Sequence, residues 1–448
     1  MWLELKSILK NRIVRFVFVI GIVLAIYQTY QMECSLRQSG EDVYYGMQGN
    51  YTLSRDQLKK QTLSRDLSDP IQSNYVKYLE WLADWEYKQS QLYLQGIEKN
   101  RQQIGELDLL GLLTSVQLHC GPGDDLPTVV FRDELKAYGL ADRLPFNLEQ
   151  LGRFYYKQKE YNEAYSKPMF DTQMYQMRYY FTARKQGVHA PWGSRLSSAS
   201  YLRYVYQLRT ERIRLFLPVL IILAGYILIQ AKKEKTFDLL AGRAVKKTRI
   251  FWHYFCLALM IAGALFILTE MLPVLYTGLR YGFGDLKLPM MVYEPGLHSA
   301  ETFKSLQFSS HDVGLTHLRI TAPSNHPDYP HLFVSLQPIP FWNFLVRSYF
   351  VEFLRLIFYV MIGTAFGCIG KRDRVTVPVV CGVFVFAAAS GFWPYLEQRW
   401  NLFTIDSGWN VVMGWTQHSW WSAVGLLSMG ILGIAVLGQL LIYRHSLR

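Results

Sequence analysis

The chain has 448 residues, half of them hydrophobic, with 15% aromatic, 18% charged and a formal net charge of +12. That length allows two or three domains, and the basic excess raises nucleic-acid binding as a first thought. The distribution argues against it, because the basic residues do not pool into one stripe or helix face but fall in short segments between long apolar runs. Each run is near the roughly 20 residues needed to cross a hydrocarbon core of about 30 Å, so the composition averages a segregated chain.

In chain order, residues Met1 to Asn11 alternate Trp2, Leu3, Leu5, Ile8 and Leu9 with Glu4, Lys6 and Lys10, the pattern of a helix lying in a membrane interface. The first span is expected over Ile13–Tyr30. A basic stretch before an apolar one also opens a signal peptide, but no small-x-small cleavage site follows Ile26, so the reading is an uncleaved span. Residues 32–213 form a polar, mainly helical domain. Asp69-Pro70 starts a helix, with a capping side chain and proline in the first turn. An amphipathic pattern then runs through Ile71, Tyr75, Tyr78, Leu79, Leu82, Leu92, Ile97 and Ile104. His119 to Pro127 is a turn cluster, Asn147 can cap another helix, and 198–214 reads as helix running into the next span.

The second and third spans are expected over Leu215–Ile229 and Ile250–Tyr276, within a segment 214–277. A second outer loop, 278–343, is rich in Pro, His and Ser, and its strand-like stretches Leu318–Thr321 and Leu332–Leu336 predict a small β element. In the last segment, 344–448, spans four to six are expected over Phe344–Ile369, Val375–Tyr395 and Trp421–Tyr443. Between the last two, 397–420 carries Trp400, Trp409, Trp415 and Trp420, which fits a broken segment dipping into the interface.

The fold class predicted is therefore mainly α: a polytopic membrane protein with six transmembrane helices, a large helical extracytoplasmic domain and a small second outer loop. Charge sets the orientation. Lys6, Lys10, Arg12 and Arg15 precede the first span, and Lys232, Lys233, Lys235, Arg243, Lys246, Lys247 and Arg249 separate the second from the third. Lys371, Arg372 and Arg374 separate the fourth from the fifth, and Arg444 and Arg448 follow the last. All lie on one side of a six-span chain, which makes that side and both termini cytoplasmic and the location a cell membrane.

Enzyme signatures are missing: the sequence has no HExxH, CxxC or GxSxG. Gly363 to Arg372 superficially resembles a phosphate loop, but Ala365 stands at the first glycine and Arg372 replaces the Ser/Thr that would hold magnesium. Gly363 and Gly367 read instead as a small-xxx-small packing face. Among intramembrane charges, Glu352 and Arg355 share one helical face, and Glu270 falls near the outer end of the third span. A lone charge at mid-bilayer costs about 2.5–3.5 kcal/mol on insertion scales, so Arg355 should pair with Glu352 or Glu270. Cys256, Cys368 and Cys381 sit in apolar runs as small hydrophobes. Cys34 and Cys120 would both lie outside, where a disulfide is permitted; sequence leaves their pairing open. His298, His311, His317, His326 and His331 cluster in the second outer loop, but their spacing matches no tight metal motif, so no metal is expected.

The cytoplasmic connection 232–250 is the informative one. A short amphipathic helix over Thr236–Arg243 would present Phe237, Leu239 and Leu240, followed by a basic break. The run Glu234-Lys235-x-x-Asp238-Leu239-Leu240, then Val245-x-Lys247-x-Arg249-Ile250 entering a span, resembles the signature after the second span of ABC-2-type transporter permeases. The glycine common there just before the threonine is missing. The amphipathic start, large first outer loop and broken aromatic segment resemble that family's plan as well. The resemblance implies a coupling helix, with Glu234, Lys235, Phe237, Asp238, Leu239, Leu240 and Arg243 seated in a groove of an ABC ATP-binding subunit. It further implies a dimer with a second permease copy or sibling, ATP and magnesium bound only by the partner subunit, and export of a peptide, lipid or amphipathic drug. The chain itself would be no enzyme, would contact membrane lipid and would bind no nucleic acid. The alternative is a non-transporting membrane receptor or assembly scaffold whose outer domain binds a partner.

Overall fold

A computed structural model describes residues 6–63, 67–119, 127–151, 174–185, 217–234, 247–283, 286–293, 336–369, 373–392 and 400–445, a few positions within them excepted. The described chain is mainly helical. It forms two compact units: unit 1 holds Met1–Gln31, Tyr201–Gly284 and Asn343–Arg448, and unit 2 holds Met32–Ser200 and Asp285–Trp342.

Helix α1 (Arg12–Leu63) begins in unit 1, where the Asn11 side chain donates to the Tyr226 hydroxyl at 2.9 Å. Unit 2 continues with α2 (Pro70–Gln95) and α3 (Ile97–His119). Asp69 caps α2 as its sequence position suggests, its Oδ1 accepting from the Ile71 amide at 2.9 Å. The amphipathic pattern from Ile71 to Ile104 does not form one long helix. Asn100, near the start of α3, is non-helical (φ −113°, ψ 15°), and α2 and α3 bury their apolar stripes against each other. Trp85 crosses that interface: its Nε1 donates to the Leu107 carbonyl at 2.7 Å, and its ring lies over Gly111, where any side chain would collide with it. Phe146 meets Tyr78 and Trp81 edge-to-face, with ring centroids 5.5 and 5.6 Å away. Asn74 and Asn147 exchange two hydrogen bonds, at 2.9 and 2.7 Å, and Asn147 Oδ1 accepts from the Gln150 amide. The short helices α4 (Pro127–Val130) and α5 (Arg132–Ala137) complete this layer, with Phe131 and Leu135 buried in its core.

The rim of unit 2 is charged. Glu106 accepts from Arg143 at 2.7 Å and from Arg184 at 3.1 Å. Burial pushes its carboxyl up, but the hydrogen bonds of Arg143 and Gln102 and the charges of both arginines outweigh it, and the net shift is downward.

In unit 1, α6 (217–233) and α7 (Lys247–Tyr281) flank the segment 235–246, which lies outside the described residues. In unit 2, β1 (Pro289–Tyr293) pairs antiparallel with β2 (Leu336–Pro340), Met291 opposite Pro338. The β element therefore sits at the two ends of the loop. Of the expected stretches, 318–321 and 332–335 lie outside the described residues, and only Leu336 joins a strand. Two strands are both edges, which is why Pro289, Pro338 and Pro340 are tolerated there. Helices α8 (Phe341–Gly367), α9 (Asp373–Phe392), α10 (Gly408–Met413) and α11 (Trp420–His445) follow.

Four of these helices are long and apolar enough to cross a membrane, with spans Val14–Gln31, Thr248–Arg280, Phe341–Gly367 and Trp420–Tyr443. Their burial differs in a telling way: 72% of the apolar window of α8 is buried, against 22% for α11 and 24% for α1. Helix α8 is thus the axle of unit 1, and α1 and α11 present Val19, Val23, Leu432 and Val436 outward. Small residues let α8 approach its neighbours. Gly363 faces the Ile221 carbonyl and Ala224 of α6, and Gly367 faces Leu228 one turn on. Cys368 is buried, whereas Cys256 and Cys381 are exposed rather than packed inside; on outward faces of apolar helices they meet whatever apolar medium surrounds unit 1.

Candidate functional site

An ionisable residue inside an apolar helical layer is costly, so it marks a place where structure or function demands it. Unit 1 has such a place on α8. Glu352 and Arg355 are 4% and 7% exposed, and Arg355 donates through one NH1 to both carboxylate oxygens of Glu352, at 3.0 and 3.1 Å. Their i,i+3 spacing on one helix makes this geometry available.

A third partner comes from 56 residues away. The backbone amide of Gly408, first residue of α10, donates to Glu352 Oε1 at 2.7 Å. A helix start has amides with no intrahelical acceptor, and a carboxylate is a strong partner for one. Locally, Ser407 Oγ caps the same turn by accepting from the Asn410 amide, and Gly414 ends it in the left-handed region at φ 77°. Trp409, 2% exposed, packs edge-on against Phe344 with ring centroids 4.4 Å apart. Gly408 lies so near the Ser348 carbonyl that a Cβ there would overlap it.

The depth of this arrangement follows from its neighbours. Trp420, which opens α11, donates its indole N–H to the Arg347 carbonyl at 3.1 Å. Glu352 therefore lies about 8 Å further along α8 than that level, at 1.5 Å per residue. Leu402 packs against Gly430, ten residues or about 15 Å into α11. The described part of the segment between α9 and α11, residues 400–414, thus begins beside the last turn of α9; followed back from α11 it descends through α10 to Asn401, and the Glu352 carboxylate holds α10. Replacing Gly408 with Ala should push α10 off α8 and cost about 1–3 kcal/mol, as overpacking does. Loss of protection at the amides of 408–413 in hydrogen exchange, with α11 amides unchanged, would measure it.

At the opposite end of α8, Lys232 of α6 donates to the Gly367 carbonyl at 2.7 Å. A lysine on the last carbonyls of a helix answers both their unmet acceptors and the negative end of the dipole. This ties the end of α6 to the end of α8, immediately before the segment that sequence singled out. Glu234 follows, accepting from the Gln230 side chain at 2.8 Å. Lys235, Phe237, Asp238, Leu239, Leu240 and Arg243 lie outside the described residues, whereas Arg249 is exposed and Ile250 is buried where α7 begins.

The other sequence candidates scatter. Glu270 is 7% exposed on α7, 22 residues beyond Thr248. Cys34 is exposed on α1, while Cys120 and the five loop histidines lie outside the described residues. Among the described residues no group of three His, Cys, Asp or Glu side chains could hold a metal ion.

Sequence reasoning missed Gly408 and Lys232 as members of this framework. Ser407-Gly408 before Trp409 is a readable helix start, but nothing local says which carboxylate it meets. Compared with protein-family models, curated proteins and solved structures, the chain matches none.

Proposed function

We propose that the chain is the membrane-spanning subunit of an ATP-driven exporter of the ABC-2 permease type. The observation that carries this reading is the run Glu234 to Ile250, whose residues resemble that family's coupling signature and which joins two apolar helices of unit 1. In this reading α6 and α9, shorter than the four membrane-length helices, supply the remaining two of six spans. The basic segments and both termini face the cytoplasm of a cell membrane, and unit 2 lies outside. ATP and magnesium belong to a separate ABC subunit, and this chain pairs with a second permease copy or sibling. The cargo is a peptide, lipid or amphipathic drug.

The mechanism is mechanical. Closure of the ATPase subunits displaces the amphipathic segment 236–243, and Lys232 on the Gly367 carbonyl passes that displacement to α8. Helix α8 carries Glu352, which holds α10, so the inner handle and the descending segment share one rigid element. Work enters only if the ATPase grips the handle differently in its two states.

Purification of the full chain from its native membrane tests this. An ATP-binding subunit should accompany it, and changing Phe237, Leu239 and Leu240 together to Ala should lose that subunit while leaving the chain folded. If no ATP-binding subunit accompanies the parent chain, or if the triple variant retains it with full transport-stimulated ATPase activity, the transporter reading fails. A co-purifying partner bound through unit 2 would instead favour a receptor or scaffold.

A further inference from the structure

Beneath the descending segment, unit 1 contains a cavity of about 510 Å³ between α8, α9 and α11. Its walls are Phe358 and Phe366 of α8, Val383 and Phe386 of α9, and Leu437 of α11, and Phe403 roofs it. Phe403 sits edge-on to Phe386 at 5.7 Å and tilted against Phe358 at 5.5 Å. Leu402 beside it lies level with Gly430, about 15 Å into α11, which is half of a hydrocarbon core of about 30 Å. The roof is therefore about half-way through such a core, and the cavity runs from there toward Phe366, next to the last residue of α8.

Its contents follow from its chemistry. An engineered apolar cavity of about 150 Å³ stays dry and takes benzene, because water needs two to four polar partners. This space, open on the side of Trp400, Phe386 and Leu437, is more than three times larger, and its described walls offer almost none. The one amide on its wall, Asn401, is already engaged: its Nδ2 donates to Ser390 Oγ at 3.3 Å and its Oδ1 accepts from the Phe403 amide at 3.1 Å. Trp400, 79% exposed, adds one indole N–H at the open side, too little to hold a water or a charged ligand in place. The mouth is equally apolar: Phe386 and Leu437 are 49% and 40% exposed, and Val385 and Val436 beside them extend the same face outward. Gly382 widens the space, since a Cβ built on it meets nothing within 4 Å.

We infer that this cavity is a binding site for one acyl chain of a membrane lipid, which enters sideways between α9 and α11 and ends under Phe403. The medium that reaches such a mouth at that depth is hydrocarbon, and a single flexible chain fills a narrow aromatic space at the cost of few hydrogen bonds. An acyl chain there packs under the roof of the descending segment and so favours its seated position. The inference needs only a bilayer around unit 1 and stands apart from the transporter reading.

The test uses the full chain in nanodiscs of phosphatidylcholine, part of it carrying a photoreactive diazirine midway along one acyl chain. After irradiation, adducts mapped by mass spectrometry should fall on Phe403 as well as on the outward-facing Val436. Gly382→Leu, which fills open space without a clash, should abolish the Phe403 adducts and leave those at Val436. Val383→Phe should do the same, and Gly425→Leu, equally open but away from the cavity, should change neither. Persistent Val436 labelling reports that each variant remains inserted. Absence of Phe403 adducts in the parent chain, or Phe403 adducts that survive both filling variants, would overturn the site. So would labelling of Gly382→Cys by a membrane-impermeant maleimide, which would mean that the cavity is wet. None of these outcomes depends on an ATPase subunit.

Discussion

Truncating Glu352 to Ala is expected to destabilise unit 1 by about 3–5 kcal/mol, as breaking a buried ion pair by removing one member does. The variant takes the Glu352 carboxylate away from the Arg355 guanidinium, 7% exposed, and removes the acceptor of the Gly408 amide in the same step. Replacing both charges by apolar residues of similar size, Glu352→Leu with Arg355→Met, should recover most of that loss, since a well-packed apolar pair is often as stable as a buried ion pair. It should not recover the seating of α10, because Leu cannot accept from Gly408. Thermal unfolding of the parent and the two variants in nanodiscs separates the two contributions, and hydrogen exchange over 408–413 reads the second. If the double variant melts as low as Glu352→Ala, the ion pair is not the main term. If its α10 amides stay protected, Glu352 is not what holds the descending segment.

Asp108→Asn is expected to act in the opposite direction, stabilising the α2–α3 hairpin at alkaline pH. Asp108 faces Gln89 across the helix pair and takes a hydrogen bond from its side-chain amide. Burial nevertheless pushes its carboxyl from the ordinary 3.8 up to about 7, with the Gln89 bond pulling back only part of the way. Between those two values the folded hairpin holds a proton that the unfolded chain has released, so stability falls as pH rises through that window and is flat above it. The whole gap corresponds to at most about 4 kcal/mol. Asn keeps the shape and a partner for Gln89 without ever charging. The variant should therefore match the parent below pH 4 and exceed it by a few kcal/mol at pH 8. Amide exchange of residues 85–111, corrected for intrinsic rate, measures this directly. A parent hairpin that gains stability between pH 4 and 7 would show the sign to be wrong. Glu106 on the rim of the same unit runs the other way: its carboxyl is lowered, so its contribution is present at neutral pH and is lost on acidification.

Helix α8 is held at one end by Lys232 on Gly367 and in its middle by Glu352, Arg355 and Gly408. Between these points it packs through Gly363 against α6 with no side chain intervening. In the proposed mechanism a helix so fixed passes displacement on rather than absorbing it, because a close-packed interior does not deform continuously.

What could be read from residue order alone was whatever depends on neighbours a few positions apart. Long apolar runs fixed which stretches are hydrophobic helices, since every backbone amide in hydrocarbon must be satisfied within its own segment. The cap at Asp69 and the shared face of Glu352 and Arg355 follow from helix geometry in the same way. The packing of α2 back against α3, with the break at Asn100, was hidden because an amphipathic stripe has the same period whether it runs on or folds against itself. Only the tertiary structure decided that Glu352 meets Gly408, that Lys232 meets Gly367, and that Phe403 roofs a cavity among three helices. Those contacts join residues 56 or 135 positions apart, or close a space among separate helices, and are fixed by how the helices pack, about which local periodicity carries no information.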